Sequence, residues 1–265
     1  MKTTIEFKPS ASGIAISPWK STETVKSTTY KDLLIRPEFA TRRIKFPVGS
    51  TWFRIVPAIR ESTKDWLLAT HALNYKGGRH VHPRTLTPGG KSVFDHAYHW
   101  YKNHRPNDLY SKTNKEGLRL LADPVCVFWM LTEIEGKTVA RLFVGSGYDG
   151  SRGGMPSLGH KIWQMTQEAD KDANATNDPL DPDRGVQICV EKRLAVGARY
   201  PSYFVRAGRV VAPINDMIAK MEPQEAEALV PLEQVLALPT AEEEWQILEN
   251  VIDSETVSQI RESMG

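Results

Sequence analysis

Between residues 98 and 115, four Tyr and Trp rings share the chain with four Lys and Arg side chains, and Asp108 is the one acid. Cations neutralise phosphates and exposed ring faces stack on unpaired bases, so the mixture suits a flexible polyanion that carries flat rings. A second group is the histidines, five of seven of which lie between His71 and His99. His96 and His99 have the spacing that lets two imidazoles meet one metal, and His71, His80 or His82 can complete a tetrahedral set beside Asp95. With His104, the Asp95–His96–His99 group also resembles a metal-dependent nuclease site, in which histidine activates water beside a cation. The second carboxylate pair that such a site needs is missing. Asp178, Asp181 and Asp183 stand crowded among prolines, the composition of a surface turn.

Gly145-Ser-Gly147-Tyr-Asp-Gly150 satisfies G-x-G-x-x-G. The strand before it closes a hairpin and no βαβ unit surrounds it, so a dinucleotide is not expected there. Glycines at this spacing instead let a strand of nucleic acid pass close to backbone. The sequence contains no P-loop, G-x-S-x-G, Cys–His dyad or H-E-x-x-H. No catalytic residues and no cofactor are therefore expected, and the chain reads as a binding protein and not an enzyme.

The elements that must position these residues alternate between strand and loop. Residues 30–39 suggest one short helix. In residues 51–57, Trp52, Arg54 and Val56 alternate with Phe53 and Ile55, a strand pattern, and a second apolar stretch covers 66–73. Residues 74–100 look like loop, and 108–121 suggest a short helix. Residues 125–134 and 138–144 flank Glu135-Gly136-Lys137, the clearest hairpin signal in the chain. Ile162, Met165 and Ala169 share one face of a helix over 158–170, strands follow at 186–190 and 199–206, and Gly208 ends the last. Residues 214–229 and 242–264 look helical, the second with an apolar stripe of Trp245, Leu248, Ile252 and Ile260. Five or six strands with few helices between them point to a small β-barrel.

Composition sets the wider frame. The 265 residues carry a net charge of +2, which conceals a strong polarity. Residues 1–105 hold eighteen Lys/Arg against seven Asp/Glu, and residues 222–265 hold one Arg against eleven acids. Such an acidic tail can shield a cationic groove or present itself to a partner. The longest apolar run, residues 125–131, is too short to span a bilayer, and Lys2, Glu6 and Lys8 stand where a signal peptide needs apolar residues. Neither a membrane nor export is expected. Cys126 and Cys189 sit in apolar segments and read as buried thiols of a reducing compartment.

In order, these features resemble the single-stranded DNA-binding (helix-destabilising) proteins of T-even and related tailed bacteriophages. The stretches that carry the resemblance are Phe53-Arg-Ile-Val-Pro57, Asp108-Leu-Tyr-Ser-Lys-Thr-Asn-Lys-Glu116, the Phe128-Trp129 pair and Gly159-His-Lys-Ile-Trp163. Residues 178–185 precede a strand as in that family, and the likeness covers about residues 47–215. It implies an OB-fold barrel at 30–215 with a loop-rich insertion at about 74–122, a flexible arm at 1–29, and an acidic helical C-terminal tail at 216–265. It also implies a host-cytoplasmic protein that protects and melts single-stranded DNA in replication, recombination and repair, with phage proteins docking on the tail. Tyr101, Tyr110 and Trp129 match the family's aromatic DNA-site positions, with Phe128 adjacent, and Tyr200 and Tyr203 supply later rings. The cations expected to meet the backbone are Arg54, Arg79, Arg84, Lys102, Lys112, Lys115, Arg119, Arg199 and Arg206. The family's zinc ligands are one histidine and three cysteines. Here His71 is followed by His82, His96 and His99 where thiolates belong, so no tightly held metal is expected. A recombination factor or nuclease and a virion component are the competing classes.

Overall fold

The computed structural model describes residues 32–57, 67–72, 78–82, 92–111, 113–151, 154–171, 178–197 and 200–264, with backbone alone at 32, 67–72 and 167–171. The arm at 1–29, Arg84, Lys112, Arg199 and the His71 side chain lie outside the described residues.

Strand β5 (Arg119–Ile134) organises the sheet. Its residues 125–132 are all buried, so both faces of the strand are covered, and a strand covered twice reads as a continuous apolar run. Along one edge it pairs with β6 (Lys137–Ser146) through Glu135 and Gly136, whose φ values of 52° and 77° make the tight turn that glycine favours. Along the other edge it has two partners in succession. Residues 119–126 take β3 (Leu67–Ala72), and residues 130–132 take β2 (Gly49–Ile55).

The sheet therefore forks. One arm continues from β3 to β4 (Arg79–Val81) and β1 (Asp32–Leu33); the other continues from β2 to β7 (Val186–Arg193) and β8 (Ser202–Val211). Among the described strands only β1 and β4 are parallel. Among the described residues no strand pairing closes the sheet, whose terminal strands are β1, β6 and β8. The architecture is mixed α and β around an open, largely antiparallel sheet.

Several expected elements take another form. Residues 93–100, read as loop, belong to helix α1 (Val93–His104). Its start is a capping box, in which Ser92 Oγ accepts from Asp95 N–H and the Asp95 carboxylate accepts from Ser92 N–H. Residues 108–121, read as helix, hold the end of a 3-10 turn, a loop closed by the Leu109–Leu118 bridge, and the first residues of β5. A 3-10 helix at Pro37–Arg42 follows β1, where one short helix over 30–39 was expected. Strand β8 runs through Gly208 to Val211.

Helix α2 (Leu158–Lys171) lies on one face of the sheet. Ile162 joins Phe53, Phe128, Met130, Ile188 and Val190 in one buried cluster. Gly159 permits this approach, since a Cβ there would collide with Ser146 O and meet Cys126 at about 3.0 Å. The opposite face of β5 and β6 is covered by α3 (Ile214–Ile218), α4 (Pro223–Glu227) and α5 (Leu232–Val235). Pro223 opens a second short helix within 214–229, where one helix was expected. The chain then returns to β1, with Arg36 N–H donating to Val235 O at 2.9 Å and Ala237 N–H to Leu34 O at 3.1 Å. Helices α6 (Ala241–Glu249) and α7 (Ser254–Ser263) bury Leu248, Ile252 and Ile260 with Phe94, Ala97, Trp100 and Tyr101 of α1. The described part of the expected 216–265 tail, residues 216–264, is thus built into the core.

Two buried charges pin these parts together. Arg54 is fully buried, and its guanidinium donates to the carbonyls of Asp181 at 2.6 Å, Ala212 at 2.8 Å, Val186 at 3.2 Å and Pro179. Burial lowers its pKa to about 10 while Asp178 and Asp181 oppose the shift, so it stays charged at neutral pH. Arg54 was expected at a DNA surface; instead it ties β2 to the 178–185 loop, two stretches that carry the resemblance separately. Gly185 completes this cage, for a Cβ there would collide with the guanidinium. Glu244 of α6 is the second charge, accepting from Val93 N–H at 2.8 Å at the start of α1. Burial raises its pKa to about 7, opposed by the Val93 and Phe94 N–H groups and assisted by Asp95.

Two outcomes follow for stability. Arg54→Met should cost about 3 kcal/mol or more in denaturant unfolding, because buried carbonyls lose their donor. Glu244, with a folded pKa above the ordinary 4.5, stabilises fully below that value and loses the contribution as pH rises through about 7. The melting temperature should fall over that window, and Glu244→Gln should flatten the fall.

Candidate nucleic-acid interface

The structure divides the expected aromatic residues in two. Tyr101 and Trp129 are 3% exposed and Phe128 is 1% exposed, so none of the three presents a free ring face. Trp129 Nε1–H donates to Val230 O at 2.8 Å, and Phe39 meets its ring edge-on at 6.2 Å. Phe128 stacks between Phe53 and Phe143 on the α2 side. Tyr101 sits beneath α6 and α7, where burial, then Asp253, push its phenol up to about 12 against the pull of Arg105. The three rings are core because both faces of β5 and the apolar face of α1 are occupied.

Tyr110 remains outside at 42% exposure, with the Arg119 guanidinium 3.7 Å from its ring centroid. Lys102 and Lys115 are exposed, and Arg79 is half-buried on β4. Tyr200 is exposed, whereas Tyr203 is half-buried and its carbonyl accepts from Lys161 Nζ at 3.1 Å. Among the described histidines, His82 and His99 lie in different surroundings. His82 is fully buried with Nε2 3.1 Å from Ser92 Oγ and 3.5 Å from an Asp95 carboxylate oxygen, while His99 is exposed against the edge of Tyr98. Among the described residues no three His, Cys, Asp or Glu side chains form a metal-binding group.

Another set of residues does gather, on the face of β2, β7 and β8 opposite α2. Antiparallel pairing puts Trp52, Cys189 and Arg206 in one row and Ser50, Glu191 and Phe204 in the next. Tyr203 and Val205 turn to the α2 side, while Phe204 and Arg206 turn outward by the two-residue period of a strand. Trp52 is 38% and Phe204 50% exposed, and each carries an arginine: Arg206 lies 5.2 Å from the Trp52 ring and Arg193 4.5 Å from the Phe204 ring. Glu191 also bonds Arg193 at 2.7 Å. Beside Trp52 runs a groove of about 880 Å³, with Lys45, Ile134, Arg209 and Val210 in its lining. Residues 192–215 contain five Lys/Arg and no Asp or Glu. The alternation in β2 and β7 was legible in the sequence; which face would stay open was not.

The acidic segment meets cations elsewhere. Glu225 bonds Arg42 at 2.6 Å, Arg141 at 3.3 Å and the Ala140 N–H at 3.1 Å. Burial would raise its pKa, but these donors outweigh burial and hold it below the ordinary value. Glu222 pairs with Lys137 at 3.5 Å, and Asp253 lies 3.8 Å from Arg105. Arg42 of the basic 42–45 run is therefore neutralised within the fold, while Lys45 lines the groove.

No family model matches the chain, and no curated protein or solved structure matches it. Among the described residues no helix is long and apolar enough to cross a membrane.

Tyr101→Ala and Trp129→Ala should each destabilise the fold by about 3–5 kcal/mol, the cost of emptying a large aromatic site. Nucleic-acid affinity measured below the variants' melting temperatures should stay at the wild-type level.

Proposed function

We propose that the chain is a non-enzymatic single-stranded DNA-binding protein of a phage, acting in the host cytoplasm during replication, recombination and repair. The observation that carries this reading is the open face on which Trp52 and Phe204 stand exposed beneath Arg206 and Arg193. Cations there would attract phosphates, and the rings would stack on bases that a duplex keeps hidden. Preference for the open strand would then melt hairpins without nucleotide hydrolysis. The strands β6, β5, β2, β7 and β8 form five antiparallel neighbours, and we read them as an opened form of the OB barrel, whose strand count they share. Carboxylates of residues 222–265 left exposed on α6 and α7 would be the handle for replication or recombination proteins.

The test is titration of tryptophan fluorescence with an oligo-dT strand at several salt concentrations. The reading expects affinity to fall steeply with salt, by roughly a thousandfold between 50 and 200 mM if six or more phosphates are neutralised. Phe204→Ala should weaken binding by about 1–3 kcal/mol. No binding at low salt, or equal affinity for duplex, would contradict it.

A further inference from the structure

The groove beside Trp52 differs from the rest of the open face in chemistry. It is half open, and its volume of about 880 Å³ is large enough for a nucleotide, within the roughly 300–1,000 Å³ range of small-molecule sites. Ile134 and Val210, 40% and 78% exposed, are apolar walls of the groove. Trp52 is held at its main chain and seated at its ring. Thr132 Oγ1–H donates to the Trp52 carbonyl at 2.9 Å, and the indole lies over Gly208, where a Cβ would approach it to 3.3 Å and Gln187 O to 3.0 Å. A ring fixed in this way is a platform that loses little freedom when a base lies on it.

The charged groups in the lining are unlike one another. Lys45 and Arg209 are the cations, and Glu133 is the one carboxylate among the described lining residues. An ionised carboxylate only accepts hydrogen bonds. It complements a base that offers an exocyclic amino group, such as cytosine N4 or adenine N6, and faces the O4 acceptor of thymine unfavourably.

Resting on the single-strand reading above, we propose that this groove is a base-reading pocket. One nucleotide of the strand stacks its base on Trp52, its phosphate meets Lys45 and Arg209, and Glu133 favours amino-bearing bases. The protein is then mildly selective at one position of an otherwise sequence-tolerant site.

Fluorescence anisotropy of labelled oligo-dC and oligo-dT on the full chain tests this, since the two bases are pyrimidines of similar stacking area. Wild type should favour oligo-dC by roughly fivefold. Glu133→Gln should bring the two together, and Trp52→Ala should weaken both by roughly 5- to 100-fold, the worth of one base–aromatic stack. Lys45→Glu, at an exposed side chain, should also weaken both and keeps the test independent of folding. Wild type that binds tightly while Trp52→Ala and Lys45→Glu bind equally well would overturn the pocket and leave the single-strand reading standing. Equal wild-type affinity for oligo-dC and oligo-dT would overturn the role of Glu133. Wild type that binds neither oligonucleotide would remove the reading on which the pocket rests.

Discussion

The structure depends on the double burial of β5. A sixteen-residue strand with partners on both edges and cover on both faces must be apolar through its centre, and residues 125–132 meet that demand. Everything else is arranged around this requirement. Helix α2 supplies one cover, and the short helices α3 to α5 supply the other, so residues beyond 213 cannot be separated from the core. Because β5 exchanges β3 for β2 along one edge, the sheet divides into two arms: one runs β6, β5, β2, β7 and β8 in antiparallel series, and the other ends in the parallel pair of β4 and β1.

That arrangement decides where a surface is left. Rings on β5 are consumed by the core, and rings on α1 are consumed by the contact with α6 and α7. The β2–β7–β8 arm has α2 on one side, and its other side shows Trp52, Phe204 and their arginines to solvent. Arg54 lies on that arm but serves a different end. Four main-chain carbonyls replace its hydration, and the cage fixes the 178–185 loop and the start of the C-terminal segment against β2. Acidic residues of that segment neutralise Arg42 and Arg141, away from the cations of β7 and β8.

Local signals in the sequence identified the β5–β6 hairpin, α2, and the strand character of β2 and β7, because a turn residue or a clean period marks each. The start of α1 was hidden by histidines and glycines upstream, although Ser92 and Asp95 spell its cap. Gly208 was taken as a strand end, yet its missing Cβ makes room for Trp52. The site suffered more than the fold. Aromatic residues interleaved with cations have the same composition whether they face solvent or a second helix, and only tertiary contact separates Tyr101 from Tyr110. Arg54 likewise alternates correctly for an outward residue and is sequestered by a loop more than a hundred residues away.

The central claim is that a single strand would lie on the β2–β7–β8 face. Photo-crosslinking of an oligonucleotide carrying halogenated pyrimidines, followed by mass spectrometry of the adducts, examines it residue by residue. Adducts at Trp52 and Phe204 are the predicted result. Adducts confined to residues 98–115, with none on β2 or β8, would contradict it.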